Sequence, residues 1–240
     1  MDRDPSAPTR VTNSSGRVTS SAVGLLVGPL APIAWRAAAA LGVSRTLSSP
    51  HGVALTFDDG PHPEGTRAVL EMLAASRARA TFFLVGEQVE RRPELAARIA
   101  QEGHLVALHG HRHRLQLRMR GAEARADLER GAAAIDDAIG TRPRWHRPPY
   151  GIYSPAGLAA AREMGLAPLL WSRWGKDWRR FTTPSRIATR ATSRVRAGDV
   201  ILLHDADFYS AAGSYRRTVQ ALPEVLSELK RRGLDTVLPV

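Results

Sequence analysis

At 240 residues, 43% hydrophobic and 24% charged, the chain can bury one sizeable core and reads as globular rather than disordered. It has no cysteine, which excludes disulfides and thiolate metal sites and leaves histidine and carboxylate to hold any transition metal. The net charge of +11 favours anionic surroundings, but the basic residues are scattered arginines without a long run or interleaved aromatics, which argues against a nucleic-acid module.

The charge is uneven along the chain. Residues 1–50 carry five Arg against two Asp, or +3, so the remainder keeps +8. Residues 1 to about 20 are rich in Ser, Thr, Pro and Arg and offer no pattern for a packed element. Ala22–Trp35 is an apolar run of fourteen, too short for a bilayer span of ~20 residues and interrupted by Pro29 and Pro32. With Arg17 before it and Ala37–Ala40 after it, the run resembles an export signal, although Arg36 breaks it and a helix packed on the outside of a domain would look similar. The expectation is an N-terminal extension over 1–50, with weak membrane association through residues 22–41 and an extracytoplasmic or membrane-associated location; a cytoplasmic one is the alternative. A single domain is expected over 51–240.

From residue 51 strand-like and helix-like segments alternate. Val53–Phe57 reads as a buried strand, Pro63–Ser76 as a helix with Val69, Leu70 and Leu73 on one face, and Ala80–Val85 as the next strand. Gln88–Glu102 is helical, Leu105–Leu108 a strand, and Gly121–Ile139 a helix stopped by Gly140 and Pro143. Arg144–Arg147 leads into Pro148-Pro149-Tyr150-Gly151; a helix over Pro155–Met164 and a strand over Leu169–Trp171 follow. The chain closes with a helix over Pro184–Arg196, a strand over Val200–Leu203, a helix over Thr218–Arg232 and a last strand over Thr236–Leu238. Such alternation implies a parallel α/β sheet; about seven units predict a distorted, incomplete (β/α) barrel.

Each polar cluster of note lies just beyond a predicted strand. Asp58-Asp59 follows the first, His109-Gly-His-Arg-His113 the third, and Arg147-Pro-Pro-Tyr-Gly151 the fourth; Asp177-Trp178 lies beyond the fifth, and His204-Asp205 follows Val200–Leu203. In a parallel sheet these ends converge on one rim, where ligands bind. As strand residues, Asp58 and Asp59 would point to different sides, so one could hold a metal while the other works beside it. His109 and His113 are four apart and would share a side of one helical turn, with His111 facing away as a supporting or surface residue and His104 structural. Two histidines and one of the aspartates make a ligand set that leaves positions open for water and substrate, although the ligand types alone do not name the metal.

TFDDG at Thr56–Gly60, H-x-x-x-H at His109–His113, RPPYG at Arg147–Gly151, DW at Asp177–Trp178 and LLHD at Leu202–Asp205 occur in that order. In these motifs residues 51–240 resemble the polysaccharide deacetylase family with the NodB homology domain (carbohydrate esterase family 4). The resemblance implies a metal-dependent hydrolase that removes acetyl groups from N-acetylated sugars. It implies Asp59, His109 and His113 as ligands of a divalent ion, Zn2+ first, with Asp58 as base and His204 as acid. Arg147 would orient the base, Asp177 would support the charged groups, and the Tyr150 N–H would help bind the oxyanion. Trp178 and Leu203 would wall the acetyl pocket.

Three positions depart from the family's usual pattern. Gly110 stands where Thr or Ser is common, Leu108 where Asn is common, and Arg173-Trp174-Gly175-Lys176 where an acidic residue usually precedes DW. None removes a ligand or a proton carrier, but the last borders the groove and leaves the substrate open. N-acetylglucosamine units of peptidoglycan or chitin-like oligomers lead. A small or lipid-linked N-acetyl sugar, another linear amide, and a non-catalytic sugar-binding module are the rivals. Phe208, Tyr209 and Tyr215 could stack on sugars, cover the site, or pack beneath a loop.

Overall fold

The computed structural model describes residues 38–47 and 52–240. The expectations for residues 1–37 and for His51 lie outside those residues. Among the described residues no helix is long and apolar enough to cross a membrane.

The strands are β1 (Ala54–Asp58), β2 (Thr81–Leu84), β3 (Leu105–Leu108), β4 (Trp145–His146), β5 (Ala167–Pro168), β6 (Arg173–Trp174) and β7 (Val200–His204). All pair in parallel, in the order β5-β4-β3-β2-β1-β7-β6, and the sheet curls into a distorted, incomplete barrel. The helices are α1 (Gly65–Ser76), α2 (Gly86–Arg91), α3 (Pro93–Gln101), α4 (Gly121–Ile139), α5 (Pro155–Glu163), α6 (Pro184–Thr192) and α7 (Ser214–Arg231).

The strand period of two divides the core. Leu55, Phe57, Phe82, Leu84, Val106, Leu108, Ile201 and Leu203 face outward against helix residues such as Leu70, Ile99, Leu128 and Leu222. Ala54, Phe83, Ala107, Val200 and Leu202 face the barrel interior with Leu169 and Trp171. The interior positions of β1 turn polar toward its carboxyl end, at Thr56 and Asp58, and it is there that the site lies.

Three sequence expectations change. The helix expected over Gln88–Glu102 divides into α2 and α3 because Pro93 has no N–H to donate and instead occupies the first turn of α3. The single strand expected over Leu169–Trp171 is replaced by β5 and β6, short strands at opposite edges of the sheet. Residues between them cross the barrel's open side, where Leu169 and Ser44 form a parallel bridge and Thr46 bridges Asp199. The carbonyls of Leu169 and Leu170 point to a side chain, Arg147, instead of a neighbouring strand. Finally, Thr236–Leu238 makes one bridge, Thr236 to Val53; β7 pairs with β1 from Ala54 onward, and β2 takes the other edge from Thr56.

Candidate metal centre and active site

β1 ends at Asp58, and the chain then turns sharply, with Asp59 at φ 82°. That left-handed turn, unusual for a side-chain-bearing residue, cancels the strand alternation. Both carboxylates therefore approach the same imidazole: His109 Nε2 lies 3.8 Å from Asp58 Oδ2 and 3.5 Å from Asp59 Oδ1. The expectation that the two would point to different sides is corrected accordingly.

His113 Nε2 lies 3.4 Å from Asp59 Oδ1, and ligand atoms of Asp59, His109 and His113 all fall within 4.8 Å of one another. His109 Nδ1 donates to the Arg147 carbonyl at 2.7 Å, since a carbonyl can only accept, and Nε2 is the ring nitrogen turned to the aspartates. Burial first, then repulsion from His109 and His204, brings the His113 pKa down to about 4, against the pull of Asp59, so this ring is neutral near pH 7. Asp59 Oδ1 is buried without a hydrogen-bond partner. Burial alone would raise the Asp59 carboxyl, but His113, His109 and His204 hold it below the ordinary carboxylate range. Two imidazole nitrogens facing an ionised carboxylate, one oxygen of which has no hydrogen-bond partner, form a donor set that fits a divalent cation.

No helical turn presents the two histidines. Residues 109–113 are irregular, and Gly110 takes φ 80°, where a Cβ would lie 2.9 Å from Asp127 Oδ2. Asp127 of α4 braces this loop. Its Oδ2 accepts from the His111 N–H at 2.8 Å and its Oδ1 from the Arg112 N–H at 3.1 Å. Nothing in the sequence marked Asp127, which lies on the polar side of a helix remote from the histidines. His111 itself is buried rather than on the surface; its Nε2 is 3.9 Å from Glu90, away from Asp59. His104 is structural as expected, accepting the Ala80 N–H through Nδ1 at 3.2 Å.

Arg147 follows β4 and is completely buried. Its Nη1 donates to Asp58 Oδ1 at 2.6 Å and Thr56 Oγ1 at 2.9 Å, its Nε to the Leu169 carbonyl and its Nη2 to the Leu170 carbonyl, both at 3.0 Å. The guanidinium carbon also sits 3.9 Å from the centre of the Phe83 ring. A side chain fixed at this many points leaves Asp58 one orientation.

Across the sheet, β7 pairs His204 with Asp58 in register. Asp177 Oδ1 accepts from His204 Nδ1 at 2.9 Å; its Oδ2 accepts the His204 N–H at 2.7 Å and the Thr218 hydroxyl at 2.8 Å. Burial would lower the imidazole's pKa, but Asp177, helped by Asp59 and Asp58, pushes it up to about 10, so His204 carries a proton at neutrality. Trp178 meets the His204 ring edge-on at 5.5 Å.

Tyr150, at φ 63°, lays its ring 4.7 Å from that of His113. Gly151 follows at φ 70°, where a Cβ would sit 2.5 Å from the Trp171 ring, so only glycine lets the turn pack here. Leu203 is a correction. It faces α6, packing with Ile187 in the outer layer, whereas Leu202 shares the interior face with His204, and any pocket wall falls to Leu202. Tyr209 stacks on His113 at 4.2 Å and bonds Gln88 and Glu87, while Tyr215 bonds Glu64, so these tyrosines cover and pack; Phe208 is 36% exposed and rests against His62.

The sequence profile described as polysaccharide deacetylase matches residues 47–169. The chain is 37% identical to the chitooligosaccharide deacetylase of Bradyrhizobium sp. over 79% of its own length and 89% of that protein. It is 33% identical to a peptidoglycan-N-acetylglucosamine deacetylase of Bacillus cereus, over 75% of this chain and 83% of the other. The family 4 carbohydrate esterase from Streptomyces lividans, solved in complex with acetate, superposes with a TM-score of 0.71 at 29% identity, covering 79% of this chain and 94% of that one. On this evidence the chain belongs to the polysaccharide deacetylase family of carbohydrate esterases.

Proposed function

We propose that the protein is a metal-dependent hydrolase that removes the N-acetyl group from N-acetylglucosamine units of peptidoglycan or a chitin-like glycan. The observation that carries this reading is the convergence of three donor atoms, from Asp59, His109 and His113, beside an aspartate that Arg147 already holds. Those three would hold the ion, and a donor set of two imidazoles and one carboxylate suits Zn2+. A bound divalent ion supplies polarisation of the acetyl carbonyl and acidifies water.

The protein's own groups carry the proton traffic. Asp58, with Oδ1 held by Arg147, keeps Oδ2 toward the centre and takes the proton from the attacking water. The Tyr150 N–H is the candidate donor to the carbonyl oxygen as charge develops on it, an interaction worth roughly 10²–10³ in rate. His204, anchored through Nδ1 to Asp177, turns Nε2 to the leaving nitrogen and delivers its proton there, so the amine departs neutral. Trp178 and Leu202 enclose the methyl group. A substrate in the cell envelope fits an extracytoplasmic or membrane-associated location.

The test is acetate release from chitooligosaccharides and from peptidoglycan, with and without chelator. Chelator-sensitive release, restored by Zn2+, is the expected result. Release from small sugars alone would move the substrate to the small or lipid-linked class, and no acetate from any N-acetyl substrate despite bound metal would leave a sugar-binding module.

A further inference from the structure

Beside the acid, the structure collects cations that the proposed chemistry does not use. Lys176 immediately precedes Asp177 and sits at φ 53°, a backbone region few lysines adopt. Its ammonium lies 4.7 Å from the centre of the Trp174 ring, and Trp174 and Trp178 continue toward His204 through ring contacts of 5.2 and 5.5 Å. Arg179 follows on the same segment, and Arg190 of α6 reaches that segment, its Nη1 donating to Thr182 Oγ1 at 3.3 Å; partial burial, then the charges of Arg179 and Arg190, lower the Lys176 pKa. Arg217 of α7 joins them, its Nη2 donating to the Arg179 carbonyl at 3.1 Å while its Nε is buried with no acceptor.

None of these four has a carboxylate within 4.0 Å among the described residues. Elsewhere on the surface basic side chains do find acids: Arg130 pairs with Glu90, Arg231 with Glu228, and Arg173, close in sequence to the cluster, with Asp199. Like charges gathered beside an aromatic strip, one with a buried donor still unpaired, make a site that an anion would satisfy. The strip between the cluster and His204 offers ring faces on which a sugar can lie.

We infer that Lys176, Arg179, Arg190 and Arg217 form a subsite for an anionic group, a carboxylate or phosphate, on the sugar next to the one that loses its acetyl group. The inference rests on the deacetylase reading and narrows its substrate to charged glycans.

Three matched N-acetylated disaccharides test it: neutral di-N-acetylchitobiose, its analogue with a lactyl carboxylate on the second sugar, and one with a phosphate there. With the Zn2+-loaded protein at low ionic strength, kcat/KM for at least one charged sugar should exceed that for the neutral one by about tenfold, mostly through KM, and the gap should shrink with salt. A preference between the two charged sugars identifies the anion. In the double variant Lys176→Gln/Arg179→Gln the charged-to-neutral ratio should fall toward one. A ratio near one in the wild type, or one that the double variant leaves unmoved, overturns the subsite while the deacetylase stands. If no sugar yields acetate, the deacetylase reading fails, and the same comparison is made on calorimetric affinities. A salt-sensitive preference for a charged sugar then supports the subsite, and equal affinities overturn it.

Discussion

The two halves of the site differ in how far the protein alone completes them. On the Asp177 side every partner is matched: one carboxylate accepts from an imidazole, a backbone N–H and a hydroxyl, and the imidazole is protonated in consequence. On the Asp59 side two imidazole nitrogens stand 3.5 and 3.4 Å from a buried carboxylate oxygen that has no hydrogen-bond partner. A folded chain tolerates such an arrangement when something outside the chain supplies the missing charge. The half around His204 is thus complete within the chain, and the half around Asp59 has the donor set of a metal site. Asp58 stands between them, bonded to Arg147 like the first half and facing His109 like the second.

Asp58→Asn should separate the halves most sharply. Acetate release should fall by roughly 10²–10⁴, the usual worth of a positioned general base, while calorimetric Zn2+ affinity changes by less than about tenfold. Loss of metal together with activity would move Asp58 from base to ligand. His113→Ala should do the reverse, abolishing high-affinity Zn2+ binding and activity together.

The completed half has its own signature in protein stripped of metal. His204 has a folded pKa of about 10 against an ordinary 6.5. A raised pKa contributes stability that is fully present below pH 6.5 and is lost as pH rises through about 10. Tm of the chelated protein should therefore fall across that window, and Asp177→Asn should flatten the fall. The free energy at stake is at most about 5 kcal/mol, from ~1.4 kcal/mol per pH unit. A wild-type curve already flat between pH 6.5 and 10 would show that the proton is held no more tightly than in the unfolded chain.

What could be read from the chain follows the same division. The apolar runs of β1, β2, β3 and β7 are buried on both faces and stand out in the sequence, and the polar clusters follow them because strands of a parallel sheet end on one rim. β5 and β6 were illegible because two-residue strands at sheet edges have no periodicity to detect, and Leu169 and Leu170 spend their carbonyls on Arg147. Leu203 was misplaced despite an available signal: counting back by two from His204 along a strand reaches Leu202. The side of the barrel taken by Asp59 was not legible at all, since it depends on one left-handed backbone angle at a residue that is not glycine.

Asp127 tests how far support of the metal half extends from the ligands. It holds the N–H groups of His111 and Arg112 and touches no ligand side chain, so its removal should loosen the loop between His109 and His113. Asp127→Ala should weaken Zn2+ binding by about 10–100-fold, the range typical of groups that orient metal ligands. Asp127→Glu, which restores a carboxylate at longer reach, should recover part of it. If affinity stays put while stability falls, Asp127 serves only to anchor α4.

The smallest effect separates the two leucines of β7. Leu203→Ala should cost about 2–5 kcal/mol of stability, as expected for a large side chain removed from the outer core, with kcat/KM changed by less than about twofold. Leu202→Ala, on the face that carries His204, should instead alter KM or kcat for the acetylated sugar by about 10-fold, because a hydrophobic wall discriminates by one to a few methylene groups. Should Leu203 rather than Leu202 govern the kinetics, the strand would have to rotate by one residue near its end. His204 would then turn with it toward the helices and lose its place beside Asp58, so the same pair of variants also measures whether the acid faces the barrel interior.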